Sequence, residues 1–254
     1  MNHPIVKKLE YQLLTDETLT FEAPPLSFST DDFELTLQNE SINIKLLREF
    51  TSVENARKFI EEFFDAWKVK TELEYGTNSF SFKFLDAEVI DRNPSKPTEQ
   101  QIFSVGVSGN ANASGKVKFI VTRKKYPEPP LNFELSPNVR TLWTRYKNYK
   151  SNHESIFSMA YFCYTVATQY GGKQSASERF YVSKSILNKI SELSSTKGDQ
   201  KSARKYSAIN PTTKEEITWL ESAVRALIKQ IAICDSGNIP EKLTMNNLPK
   251  LSKN

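Results

Sequence analysis

The stretch FELTLQNESINIKLLREFTSVENARKFIEEFFDAW, residues 33–67, changes its hydrophobic period halfway along. In its first half Phe33, Leu35 and Leu37, then Ile42, Ile44 and Leu46, alternate with polar residues. A period of two is that of a strand with one buried face. Gln38-Asn39-Glu40-Ser41 reads as the turn between two such strands. From Thr51 the period lengthens. Thr51-Ser52-Val53-Glu54 has the order of a helix capping box, and Val53, Ala56, Ile60, Phe63, Phe64 and Trp67 recur every three or four residues. An amphipathic helix is therefore expected over residues 52–67. A hairpin followed directly by a helix, each with one apolar side, describes a sheet roofed by that helix.

Working outward, residues 9–14 and 19–21 read as further strands upstream, and 69–75 and 79–90 as strands downstream, joined at Gly76-Thr77-Asn78. Phe80, Phe82 and Phe84 alternate with Ser81 and Lys83 in the last of these. Residues 102–107 and 116–123 read as two more strands, around a hairpin loop at 106–115. Residues 123–137 contain Pro127, Pro129, Pro130 and Pro137, which disfavour regular structure. The expected organisation is an N-terminal domain over residues 1–125 and a proline-rich linker over 126–137.

Residues 138–254 read as helical throughout. Helices are expected over 139–149, beginning at Ser136-Pro137 or Asn138, and over 153–170. The second of these is apolar on almost every face, as suits the centre of a bundle. Gly171-Gly172 ends it, and Ser175-Ala176-Ser177-Glu178 reads as a second capping box opening a helix to about Leu193, with a loop over 194–200. Thr213 and Glu216 form a third box. Behind it runs the stripe Ile217, Leu220, Val224, Leu227, Ile228 and Ile231, stopped at Asp235-Ser236-Gly237. The tail, 243–251, is expected to pack back through Leu248 and Leu251. The fold class is α+β: an N-terminal mixed β-sheet domain with one main helix, then a C-terminal all-α helical bundle.

Charge divides unevenly between the halves. Residues 1–135 carry 16 Lys and Arg against 21 Asp and Glu, and residues 136–254 carry 18 against 9. The basic half also holds Trp143, Tyr146, Tyr149, Tyr161, Tyr164, Tyr170, Tyr181 and Tyr206. Cations interleaved with aromatics suit phosphate contact and base stacking, and a solvated helical face is the plainer account of the same pattern. The residues that would touch a nucleic acid are Arg140, Arg145, Lys147, Lys150, Arg204 and Lys205.

Cys163 and Cys234 lie in apolar helical stretches, and with only two histidines, His3 and His153, the chain offers no zinc-ligand spacing. No metal and no cofactor is expected. The N-terminus has no apolar core of a secretory signal and no segment reaches the length of a membrane span, so the expected location is cytoplasmic, with no membrane partner. Glycine-rich nucleotide loops and the G-x-S-x-G and H-E-x-x-H motifs are absent, and Ser194-Ser195-Thr196-Lys197 matches S-x-x-K only in a polar loop. Asp86, Glu88 and Asp91 share one strand, and a solvated edge is the simpler reading of them.

Arg145 and His153, with Asn148 and Asn152 between them, are the one grouping able to bind a phosphate and move a proton near neutral pH. The helix pair over 139–149 and 153–170, the segment 182–193 and the final helix over 213–235 resemble HEPN-type helical bundles, found in bacterial toxin, antiphage and CRISPR-linked ribonucleases and in inactive accessory proteins. The ribonuclease signature of that family is R-x(4–6)-H. Here seven residues separate Arg145 from His153, and no histidine follows Arg179 or Arg204. The resemblance implies a non-catalytic member, or a metal-independent ribonuclease with an atypical Arg145–His153 site, and a homodimer or partner protein. The leading expectation is a non-enzymatic interaction or accessory protein that self-associates through its helical half. The alternatives are an RNA-binding or RNA-cleaving protein, and a small-ligand site in the N-terminal domain lined by Phe63, Phe64 and Trp67.

Overall fold

The computed structural model describes residues 3–16, 18–76, 80–92, 121–196 and 212–251. The chain divides into two compact units. Met1–Thr71 with Asn78–Pro129 form the first, and Glu72–Thr77 with Pro130–Asn254 the second. The first is an antiparallel sheet with one helix and the second is helical, so the fold class is α+β.

The first unit is built on β1 (Pro4–Thr15), β3 (Leu26–Ser29), β4 (Phe33–Gln38), β5 (Ser41–Leu46) and β6 (Phe80–Asp91), in the order β3-β4-β5-β1-β6. Neighbouring strands in this sheet all pair antiparallel. β2 (Leu19–Phe21) and β7 (Val121–Arg123) form a separate parallel pair. The β4–β5 hairpin has the register that the alternation requires, with Phe33 opposite Leu46, Leu35 opposite Ile44 and Leu37 opposite Ile42. Its turn is Asn39-Glu40, with φ of 48° and 65°. Two left-handed residues in a two-residue loop match the right-handed twist of the strands. Asn accepts that conformation readily, whereas Glu40 adopts it at a cost of roughly 1 kcal/mol.

α1 (Val53–Tyr75) lays Ala56, Ile60, Phe64 and Trp67 against Leu9, Tyr11, Leu13, Phe33, Leu35, Ile42 and Ile44 in one apolar core. Phe64 stacks on Phe82 at 4.0 Å, and Trp67 meets the edge of Phe80 at 6.1 Å. A buried aromatic of this size contributes roughly 4–6 kcal/mol of transfer free energy before conformational entropy is subtracted.

Several local expectations are corrected. Residues 69–75 are the last two turns of α1, not a strand: no glycine or proline separates Trp67 from Val69, and the first stop is Gly76, with φ of 120° and its N–H on the Glu72 carbonyl at 2.9 Å. The N-terminal cap is Ser52, whose Oγ accepts from the Asn55 N–H at 3.2 Å, in place of Thr51. β3, four residues just after Pro24-Pro25, is a strand that the sequence reading does not include. The expected strand over 102–107, the loop over 106–115 and most of 116–123 lie outside the described residues.

In the second unit α2 (Pro137–Lys150), α3 (Ile156–Thr168), α4 (Gly172–Arg179), α5 (Lys184–Thr196) and α6 (Lys214–Asp235) follow in order. α3 touches each of the other four and buries Ile156, Phe157, Met159, Ala160, Cys163 and Ala167, so it is the central helix its composition indicates. α2 starts at Ser136, whose Oγ accepts from Val139 N–H and donates to Asp235 at 2.6 Å. α6 starts with both halves of its capping box made: Thr213 Oγ1 accepts from Glu216 N–H at 3.1 Å, and Glu216 accepts from Thr213 N–H at 3.0 Å. The single helix expected from Ser175 to about Leu193 is two. α4 begins earlier, after Gly171, whose φ of 97° and 2.7 Å approach of any added Cβ to Ser175 require glycine. It ends at Arg179 because Tyr181 turns left-handed (φ 52°) and the tail takes backbone groups of Tyr181 and Ser183. Leu243 N–H bonds the Tyr181 carbonyl, and Ser183 N–H the Leu243 carbonyl, each at 2.8 Å. Tertiary pairing thus overrides a sequence that could have continued as helix. Leu243 and Leu248 are buried in this return of the tail.

Candidate functional site

The basic residues singled out on α2 are held by the helical unit itself. Arg145 forms an ion pair through Nη2 with Glu154, in the turn before α3. The guanidinium also lies 4.6 Å from the centroid of Phe162 and 3.4 Å from Ser158 Oγ, both on α3. Glu154 has only 9% of its side chain exposed, and among the described residues no other hydrogen-bond donor reaches its oxygens. A carboxylate this sheltered needs its cation, so Arg145 closes α2 onto the start of α3.

His153 sits in the same turn, next to Glu154, but its side chain is exposed. Its backbone N–H bonds the Asn148 carbonyl at 2.8 Å, in a turn where Asn152 has φ of 59°. Among the described residues the imidazole has neither a hydrogen-bond partner nor a ring contact, and Arg145 makes no bond to it. A general base is normally oriented by a second group on its other ring nitrogen. That arrangement is not assembled here.

Lys147 lies 3.6 Å from the centroid of Trp143, whose Nε1 donates to the buried Glu72 at 3.1 Å. Lys150 donates to Glu221 on α6 at 3.0 Å. Arg140 is on the exposed side of α2. Arg204 and Lys205 lie outside the described residues.

The cluster around Glu221 was not singled out from the sequence. Its Oε1 accepts from Tyr146 at 2.9 Å and from Lys150 at 3.0 Å, and its Oε2 accepts from Tyr149 at 3.1 Å. Tyr146, Tyr149 and Lys150 share one face of α2 by their spacing of three and four, and Glu221 with Arg225 does the same on α6. That matched pair of spacings is the signal that could have found it. Burial would by itself raise the Glu221 carboxyl, but the hydrogen bonds from Lys150 and Tyr146 and the charge of Lys150 outweigh it and hold the group below its ordinary value. Burial, with the Glu221 charge beside it, pushes the Tyr149 phenol up to about 12, and Tyr146 moves the same way for the same reasons. Both phenols remain protonated donors at neutral pH. The cluster fastens α2 to α6 and offers no base.

Cys163 is fully buried and its thiol is pushed up by desolvation, so it is an inert core group. Among the described residues no three His, Cys, Asp or Glu side chains gather as a metal site, and no helix is long and apolar enough to cross a membrane. In the first unit Phe63 and Trp67 pack into the core, while Phe64 also borders a cleft of about 230 Å³ beside β6. Compared with protein-family models, curated proteins and solved structures, the chain matches none of them.

Proposed function

We propose that this protein is a non-enzymatic binding module, an accessory or interaction protein whose helical unit contacts a partner and catalyses no reaction. The observation that carries this reading is the commitment of Arg145. Arg145, the cation that the sequence places near His153, is closed onto the sheltered Glu154 and the Phe162 ring. His153 is exposed, and among the described residues no group fixes its tautomer. Self-association through the helical unit belongs to the same proposal, on the ground that a two-fold dimer is the commonest closed assembly. Sedimentation across a hundredfold range of concentration tests it, and a constant monomer would remove it.

The test of the main reading is incubation of the full chain with single-stranded RNA at low salt, beside the His153→Ala variant. No cleavage, or a trace that His153→Ala leaves unchanged, is expected. Cleavage abolished by His153→Ala would overturn the proposal in favour of an Arg145–His153 ribonuclease. RNA binding without cleavage would name nucleic acid as the partner, and its affinity would then fall with salt by roughly one log–log unit per phosphate contacted.

A further inference from the structure

Where the tail folds back on α6 the helical unit leaves an open groove. Ala226, Gln230 and Ile233 line it from α6, and Pro240, Leu243 and Asn247 from the tail. Gln230 is 7% exposed, and its Nε2 donates to the Glu241 carbonyl at 2.8 Å, which fastens the tail to the helix. Leu243 is held in turn by its two backbone bonds to Tyr181 and Ser183. The groove is therefore built on fixed backbone. Its volume is about 230 Å³, roughly eight water molecules at ~30 Å³ each, which accommodates a branched aliphatic side chain. The lining is mainly apolar, and Lys229, which borders it, is paired with Glu74 at 2.6 Å.

The residues around Pro240 complement this groove. Ile239, just before it, is 75% exposed, more than any other large apolar side chain among the described residues. The turn that carries it is tied down by Gly237 N–H on the Cys234 carbonyl at 3.0 Å and Asn238 N–H on the Ile233 carbonyl at 3.2 Å. Glu241 and Lys242, just after Pro240, are exposed, and among the described residues neither side chain has an ion pair or a hydrogen bond. Residues 239–242 thus bring together an apolar knob, the wall of an apolar hole, an anion and a cation. A two-fold interface needs that combination, because each feature must meet its complement on an identical surface. A charged ligand finds no net charge here to attract it, and an uncharged one would leave the exposed Ile239 unexplained.

We propose that this face is where two copies of the chain meet, with the two-fold axis beside Pro240. Ile239 of each copy enters the groove of the other, and Glu241 of each faces Lys242 of the other. The proposal rests on the self-association proposed above and names its surface.

The test is sedimentation of the full chain between about 1 and 300 μM, a range that covers dimers of ordinary strength. Wild type is expected to pass from monomer to dimer. Ile239→Asp weakens the dimer by about tenfold for each side chain withdrawn, and so about a hundredfold for the pair, while keeping its helical circular dichroism. Glu241→Lys and Lys242→Glu each set like charges against one another and weaken it by about tenfold. The double variant Glu241→Lys with Lys242→Glu restores the opposed pairs and returns to within about threefold of wild type. A dimer that Ile239→Asp leaves intact, or a double charge variant as weak as either single one, would overturn the proposal while leaving self-association through another face of the helical unit. A wild-type chain that stays monomeric throughout would remove both.

Discussion

Replacing Glu221 by alanine tests whether the polar cluster between α2 and α6 holds the helical unit together. The carboxylate accepts three hydrogen bonds, from Tyr146, Tyr149 and Lys150. Tyr146 is fully buried, so its hydroxyl loses its acceptor outright, a loss of about 1–3 kcal/mol. Tyr149 is half-buried and recovers much of its bond from water. The Lys150 pair, with 36% of the lysine side chain exposed, is worth less than about 1 kcal/mol after solvent screening. The expected total is about 2–4 kcal/mol, read by urea unfolding as a lower midpoint at unchanged slope. Glu221→Gln keeps the shape and one acceptor and costs about half as much. The carboxyl is held below its ordinary value of 4.5 in the folded chain, so its charge contributes stability that is fully present above that value. That contribution is lost as pH falls through the lower, folded value. The difference between wild type and Glu221→Gln is therefore constant from neutral pH down to about pH 5 and shrinks below about pH 4. A Glu221→Ala loss under about 0.5 kcal/mol, or a difference that grows on acidification, would refute the reasoning.

Three further substitutions probe local devices. Thr213→Ala removes one half of a capping box formed at 3.1 and 3.0 Å and costs about 1 kcal/mol in the same assay. Glu40→Gly relieves a left-handed glutamate at φ 65° in the β4–β5 turn and raises stability by about 0.5–1 kcal/mol, since Asn-Gly is the preferred pair there. Gly171→Ala places a Cβ 2.7 Å from that of Ser175 at φ 97° and lowers Tm by several degrees in a thermal scan.

What the sequence revealed follows from how far each structural cause reaches along the chain. The β4–β5 hairpin, the start of α1, the central position of α3 and the capping box of α6 are local patterns of period, cap or turn, and each was readable. The errors arise where the deciding contact is distant. The Tyr181 carbonyl and the Ser183 N–H bond Leu243 rather than a continuing helix, and no local feature encodes that pairing. Residues 69–75 carry β-branched and alternating side chains, yet they remain helical because nothing before Gly76 stops α1. At the candidate site Arg145 and His153 were visible as residue types, but Glu154 was passed over, although it follows His153 directly. The opposing spacings of Tyr146, Tyr149 and Lys150 on one helix and Glu221 and Arg225 on another are equally present in the sequence, which lacks the helix pairing that gives them meaning.

In the proposed function Arg145 serves as the structural partner of Glu154 rather than as a cation for a phosphate. A double-mutant cycle of Arg145→Met and Glu154→Gln, read by urea unfolding, measures that partnership directly. Glu154 is nearly covered, while Arg145 retains 35% exposure, which moderates the pair below the value of a fully buried one. The predicted coupling is about 1–2 kcal/mol, with Arg145→Met alone destabilising by more than the double variant does relative to Glu154→Gln. Additive effects within about 0.3 kcal/mol would contradict the account, leaving Arg145 uncommitted and restoring it, with His153, as a phosphate-handling pair.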